Sequence, residues 1–231
     1  MQKLDWSLIF TSIPKLLSRI HITFLIVIVA TVCGIIIGLV MALFRVYKVP
    51  VLRQIAVVYA SFIRGTPIIV QLFLIYYGLP VFFNWIFGVD IGRLNKMYFI
   101  LVTYSLSMGA FFSEIMRSTI EGVGTGQSEA AYSIGMTKLQ TFRRIVLPQA
   151  ALAAVPSLST SFVSLLQNTS LGYTIGIIDV IGRARTIINI SKHTIEPYTA
   201  AAIIFVFLSI VFQYVFSFLE KRLSKGRGAV A

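Results

Sequence analysis

The stretch EAAYSIGMTKLQTFRRIVLPQA, Glu129 to Ala150, is polar, split by a glycine and rich in basic residues, yet it lies between two long apolar runs. Before Gly135, the residues Glu129 to Ile134 favour a helix with Ala130, Ala131 and Ile134 on one face. After it, Leu139, Phe142 and Val146 recur at helical spacing while Lys138, Arg143 and Arg144 fall away from the stripe. Gly135 suits the left-handed conformation that ends one helix and starts another at an angle. Pro148 disfavours helical geometry at Leu147 and fits the first turn of the next helix. The expectation is a short, rigid helix-turn-helix protruding from whatever the flanking runs build; the same residues would also suit an amphipathic loop on a membrane surface.

The flanks settle the fold class. Of 231 residues, 57% are hydrophobic and 12% charged, where a soluble domain carries about 25% charged residues. Five runs approach the roughly 20 apolar residues that cross a bilayer as a helix: Ile22 to Phe44, Ile55 to Phe83 interrupted by Arg64, Tyr98 to Met116, Ala150 to Ile178, and Tyr198 to Leu219. Backbone amides in hydrocarbon must bond within the structure, so such runs are helices. The chain is read as all-α and polytopic, a single membrane domain over 1–231. The first run is too long for a signal-peptide core, so no cleavable leader is expected. Cys33, the single cysteine, is read as a small packing residue.

The net charge of +12 raises nucleic acid as a partner, but the cations are spread over the connections between spans, and no nucleic-acid role is expected. They orient the chain instead. With the C-terminus inside, Arg45, Lys48, Arg53, Arg117, Lys138, Arg143, Arg144, Lys221, Arg222, Lys225 and Arg227 are cytoplasmic. Lys3, Lys15, Arg19, Arg93, Lys96, Arg183, Arg185 and Lys192 are then outside. The bias favours the N-terminus outside and the C-terminus in the cytoplasm. On this reading 1–20 is an outer interfacial segment with Trp6 at headgroup level and Pro14 splitting it, 117–149 is a cytoplasmic loop, and 220–231 is a basic cytoplasmic tail. The outer connection over 179–197 is read as a solvated loop long enough to meet a partner. His193 has Glu196 close by but no second histidine or cysteine, so no metal site is expected.

Polar groups within the spans mark candidate functional positions. Arg64 is costly at membrane depth and needs a partner, for which Glu114 in the third span is a candidate. The alternative is that Arg64 snorkels to an edge, with Arg53 at the true start of the span. Gly65, Thr66 and Pro67 disturb the helix, and Pro67 leaves carbonyls open to a ligand or another side chain; a purely structural kink fits equally. Gln167, Asn168, Thr169 and Ser170 form a neutral polar cluster that suits either the zwitterionic head of an amino acid or helix-helix contacts.

The spacing Glu129-Ala130-Ala131, three residues, Gly135, nine residues, Ile145, one residue, Leu147-Pro148 resembles the EAA loop of permease subunits of ATP-binding-cassette (ABC) importers. FIRGTPIIVQLFLIYYGLP (Phe62 to Pro80), SEIMRSTIEGVGTGQSEAA (Ser113 to Ala131) and SLLQNTSL (Ser164 to Leu171) resemble the polar amino-acid branch of that family, and within it the cystine permeases. The family commonly carries lysine and aspartate where Gln167 and Asn168 stand, and an asparagine near Thr160. These departures leave the fold reading intact but weaken the transfer of substrate-contact roles, and with the charged pair gone a substrate with a charged side chain is not inferred.

The resemblance implies a five-span permease of the type I importer kind in a bacterial cytoplasmic (inner) membrane, a transport subunit and not an enzyme. It implies a second permease copy, identical or related, a cytoplasmic ABC ATPase dimer and an extracytoplasmic substrate-binding protein. ATP and Mg would act on the ATPase, with no cofactor in this chain, which has no G-x-x-x-x-G-K-[ST] phosphate loop. It assigns coupling to the ATPase to Glu129, Ala130, Ala131, Ile134, Gly135, Met136, Leu147 and Pro148. The substrate-path candidates are Arg64, Gly65, Thr66, Pro67, Gln71, Glu114, Gln167, Asn168, Thr169 and Ser170. A gradient-driven transporter or channel using Arg64 and Glu114 is the alternative; it leaves the EAA spacing unexplained.

Overall fold

With no water to bond the backbone of an apolar run, the chain forms helices throughout. They are α1 (Trp6–Leu17), α2 (Ile20–Val46), α3 (Leu52–Gly65), α4 (Ile68–Phe73), α5 (Leu79–Phe87), α6 (Lys96–Gly122), α7 (Thr125–Ser133), α8 (Lys138–Thr141), α9 (Leu147–Asn168), α10 (Val180–Ser191) and α11 (Ile195–Lys225). This computed structural model describes residues 4–225; the expectations that fall on residues 1–3 and on 226–231 of the basic tail lie outside the described residues. Five continuous helical stretches among the described residues are long and apolar enough to cross a membrane: Ile20–Val46, Ile68–Phe87, Lys96–Gly122, Lys138–Ile175 and Ile195–Ser224.

α6 is the central rod. Its Ile100, Tyr104, Met108 and Phe112 join Ile26, Val27 and Ala30 of α2, Leu165 and Leu166 of α9, and the buried faces of α10 and α11 in one core. α2 lies parallel to it at very close range. A Cβ on Gly34 would stand 2.7 Å from the Met108 Cβ, and one on Gly38 would stand 2.7 Å from the Phe112 Cβ. In hydrocarbon such contacts depend on packing, which small residues permit by letting backbones approach. Gly34→Leu is therefore expected to destabilise the fold by about 1–3 kcal/mol through overpacking, read as a lower thermal midpoint in detergent. Cys33→Ala, one position away and only partly buried, is expected to leave the midpoint near the wild-type value.

The run expected as one span from Ile55 to Phe83 is two helices. Thr66 is extended (φ −114°, ψ 139°), so α3 stops and α4 starts afresh after Pro67. A π-helical turn over Leu74–Gly78 carries α4 into α5. α4 and α5 run antiparallel to α6: Thr66 and Gln71 meet it at Ser107, and Tyr76 packs edge-on against Phe99.

The second arm of the quoted stretch also departs from expectation. Leu147 is helical (φ −57°, ψ −44°), and α8 passes through a π-helical turn over Phe142–Val146 straight into α9. The wider turn absorbs Pro148, which lacks an amide donor and would otherwise crowd the carbonyl one turn back. Pro148 thus sits in the first turn of α9 without stopping the helix. A small separate apolar cluster, Ile120, Val146 and Ala150 with Val46, Val123 and Phe142, ties this arm to the ends of α2 and α6.

Two further segments differ from their sequence reading. Pro14 lies inside α1 without splitting it, and Asp5 caps that helix by accepting the Ser7 and Leu8 amides. The 179–197 connection is not a solvated loop: α10 packs on α11 and α1, and Asp179 is fully buried as its N-cap, accepting the Gly182 amide at 2.9 Å. His193 does meet Glu196, at 3.0 Å.

Burial pushes the Asp179 carboxyl up to about 6. A carboxyl held above its ordinary value contributes stability that is fully present below about pH 4 and is lost as pH rises through about 6. Asp179→Asn keeps an oxygen for the cap and removes the charge. It is expected to match wild type near pH 4 and exceed it at pH 8, by at most about 3 kcal/mol, in thermal unfolding followed across that range.

Candidate functional site

Pro67 has no amide to give the Ile63 carbonyl, and the extended Thr66 turns its own carbonyl out of the helical ladder. Gln71, only 4% exposed, repairs both defects. Its Nε2 donates to Ile63 O at 2.7 Å and to Thr66 O at 2.9 Å. The Gln71 Oε1 has no protein partner among the described residues. Gly65 and Pro67 flank the break and are exposed.

Thr66 and Gln71 line a cavity of about 340 Å³ between the break, α6 and α9. α6 contributes Ser107, Met108 and Phe111, and α9 contributes Thr160, Ser161, Ser164 and Asn168. Its polar groups are hydroxyls and carboxamides, with no ionisable side chain in the wall. Such a site supplies donors and acceptors to a small polar solute without imposing a charge. Gln167 faces an adjoining hollow of about 350 Å³, which shares the Thr160 and Ser164 wall and reaches Gln213 and Glu220 of α11. Thr169 and Ser170 do not join either lining. Their hydroxyls donate to Leu166 O and Gln167 O, finishing α9 as it tightens into a 3-10 turn.

Arg64 and Glu114 do meet, but outside the cavity. Glu114 Oε2 accepts from Arg45 at 2.7 Å and stands 3.4 Å from Arg64; its Oε1 accepts from Arg117, which also holds Glu121. Three guanidiniums thus converge on one carboxylate at the Arg45 end of the bundle, pinning α2 and α3 to α6. The sequence pointed to the Arg64–Glu114 pair and missed Arg45 and Arg117. Arg117 was readable, at i+3 from Glu114 and i−4 from Glu121; Arg45 is 69 positions from Glu114 and gave no local signal.

At the same end the quoted stretch forms a protruding hairpin. Gly135 has φ +82°, and the Gly135 and Met136 amides bond the Tyr132 and Ala131 carbonyls at 2.9 and 3.1 Å, the double bond of a Schellman turn. Thr137 and Gln140 then cap α8 reciprocally. Of the three residues expected on one face, Ala131 is buried while Ala130 and Ile134 are exposed, Ile134 to 78%. The later stripe splits likewise: Val146 is buried and Leu139 is 65% exposed. The tip therefore presents Ile134 and Leu139 among the exposed Lys138, Arg143 and Arg144. Glu129 is exposed in α7, Met136 is partly buried at the turn, and Leu147 and Pro148 are partly buried at the base. Among the described residues no group of His, Cys, Asp or Glu is placed to hold a metal.

If the Gln71 amide is what sustains the break, Gln71→Leu will lower stability by about 1–3 kcal/mol, the cost of leaving buried carbonyls unbonded. Adding Pro67→Ala supplies an amide at that position and is expected to recover part of the loss in thermal unfolding. A double variant no better than Gln71→Leu alone would contradict this assignment.

Residues 34–225 match the family described as binding-protein-dependent transport system inner membrane component. The chain is 40% identical over 223 residues to the L-cystine transport system permease protein TcyL of Bacillus subtilis (strain 168), covering 96% of this chain and 93% of that one. It is 36% identical over 225 residues to the probable amino-acid permease protein YxeN of the same organism, covering 97% and 98%. Among solved structures, a chain of an amino acid ABC transporter crystallised with histidines superposes with a TM-score of 0.85 at 29% identity, covering 96% of this chain and all of that one. An inward-facing MetNI methionine ABC transporter shares the fold, with a TM-score of 0.72 at 18% identity over 90% of this chain and 96% of that one.

Proposed function

The chain belongs to the family of binding-protein-dependent transport system inner membrane components, and from that premise we propose that it carries a polar, uncharged amino acid, cystine foremost, along the cavity at the Thr66–Pro67 break. It is a multi-pass permease subunit of an ABC importer, and in this family the ATPase is a separate chain. The proposal extends to its surroundings: a second permease copy, an ABC ATPase dimer binding ATP and Mg, an extracytoplasmic binding protein, and an inner membrane. On this reading the C-terminus and the 117–149 segment face the cytoplasm, the N-terminal segment 1–20 lies outside, and the whole chain is one permease domain.

The observation that carries the proposal is the continuity of the hairpin with the cavity wall. Helical backbone runs without interruption over Lys138–Ile175. Leu139 at the tip and Asn168 in the cavity are thus opposite parts of one rod, separated by roughly 45 Å at helical rise. The other arm joins α6, which carries Ser107 and Phe111. An ATPase that grips Ile134 and Leu139 and closes would therefore move two walls of the cavity together. Gly135 fixes the angle of the grip, and Glu129, Ala130, Ala131, Met136, Leu147 and Pro148 shape its flanks and base. The neutral lining, with Asn168 in it and Gln167 in the adjoining hollow at positions where the family commonly carries a charged pair, suits the zwitterionic head of a substrate whose side chain bears no net charge. Arg64 and Glu114 support the path by holding α3 against α6, with Thr169 and Ser170 finishing the helix beneath Asn168.

Gly135→Asp places a side chain at φ +82° and a charge on a docking surface. The expected result is at least a tenfold loss of labelled cystine uptake, about 1.4 kcal/mol or more of coupling, with the ATPase lost or no longer stimulated by substrate. Asn168→Ala is expected to lower uptake while leaving ATPase association intact. Wild-type uptake in both variants would remove the coupling and path assignments together. Uptake that follows a proton or sodium gradient without ATP would replace the importer reading with a gradient-driven transporter.

A further inference from the structure

The short connection between α2 and α3 forms the wall of an open groove of about 590 Å³ that plays no part in the cavity or the hairpin tip. Two cations, Lys48 and Arg53, are exposed in it, and no carboxylate among the described residues lies within ion-pair distance of either. The carboxylates of α6 at this end, Glu114 and Glu121, are already held by Arg45, Arg64 and Arg117. The same groove is lined by Val51, Val57 and Val58, and Val51 and Val58 are about two-thirds exposed. Apolar side chains presented beside unpaired cations suit neither bulk water nor hydrocarbon alone.

Depth decides between them. The span Ile20–Val46 ends two residues before Lys48, which sets Lys48 at headgroup level, and Arg53 in the first turn of α3 lines the same groove as the exposed Val57 and Val58 further along that helix. Tyr47, exposed at the same level, is a residue type that favours this boundary. We propose that the groove formed by Lys48, Arg53, Val51, Val57 and Val58 binds one anionic phospholipid, its phosphate on the two cations and an acyl chain along the valines. Charge complementarity supports this occupant: among the described residues no carboxylate lies within ion-pair distance of these cations, and the adjoining valines suit a hydrocarbon tail. It rests on the chain's spanning a membrane and is independent of which amino acid is carried and of the hairpin's partner.

The test is native mass spectrometry of the purified full chain in neutral detergent, titrated with phosphatidylglycerol and, separately, with phosphatidylcholine of the same acyl chains. Wild type is expected to bind phosphatidylglycerol preferentially. Lys48→Gln and Arg53→Gln are expected to weaken that binding roughly fivefold each and the double variant about 30-fold, with phosphatidylcholine binding unchanged. Lys221→Gln with Arg222→Gln removes as much charge elsewhere and is expected to have little effect. The proposal fails if the two lipids bind wild type equally, or if the Lys221 and Arg222 variant loses as much binding, since attraction would then be diffuse. It also fails if the double variant binds phosphatidylglycerol like wild type while losing a second copy or the ATPase on co-purification, which would assign the groove to a protein partner. The substituted side chains are exposed, and an unchanged thermal midpoint in the double variant would separate loss of the site from loss of the fold.

Discussion

A backbone carbonyl freed inside a membrane has no water to turn to, and the two hydrogen bonds from Gln71 to Ile63 and Thr66 meet that constraint at the point where the second span breaks. Without them, the Thr66 carbonyl would lose its bond from Gln71 and the Ile63 carbonyl would keep only the longer 3.4 Å bond from the Thr66 hydroxyl. With them, the chain keeps an irregular stretch halfway along α6, and irregular backbone at that depth is tolerated where it lines a cavity. The other interruptions follow the same logic: a π-helical turn accommodates Pro148, and a 3-10 turn finishes α9 with the Thr169 and Ser170 hydroxyls bonding inward. Each departure from regular helix has its own local repair, so α6 and α9 remain rigid enough to act as rods.

Charge is handled with equal economy. Near the Arg45 end, Arg45, Arg64, Arg117 and Glu121 form one connected group around Glu114, where a lone ion would be expensive. The cavity itself is left neutral. The ionic fastening thus lies apart from the polar lining, and Lys48 and Arg53 are among the cations of the described residues that have no carboxylate within ion-pair distance.

Much of this was legible because bilayer thickness imposes a length on apolar runs, and the first, third and fifth spans were placed within about six residues of their helices at each end, while the fourth helix starts 12 residues before the apolar run because the polar hairpin arm is continuous with it. Gly135 was legible because a left-handed turn leaves few alternatives, and the capping box of Thr137 and Gln140 stood readable in the same quoted stretch. The second span misled because Thr66-Pro67 fixes local geometry while the repair comes from Gln71, whose role depends on where its side chain lands. Leu147 misled in the opposite direction: the preference of a residue before proline was overridden by a wider helical turn. α10 was hidden because its charges suggested solvent, whereas Asp179 is spent on a buried cap. Thr160, Ser164 and Asn168 recur at four-residue spacing and were readable as one face of α9; Ser107 and Phe111 became visible only when α6 was placed beside the break.

The hairpin is continuous with α9 on one side and joins α6 across the turn at Gly124 on the other, and the most direct test of its proposed coupling role is motion at the cavity driven from the hairpin. With Cys33→Ala as background, Asn168→Cys would be labelled by a small water-soluble thiol reagent in the complex with its ATPase, before and after trapping with a non-hydrolysable ATP analogue. The account predicts a several-fold change in labelling rate on trapping, abolished by Gly135→Asp. An unchanged rate in a complex that binds the nucleotide would contradict it.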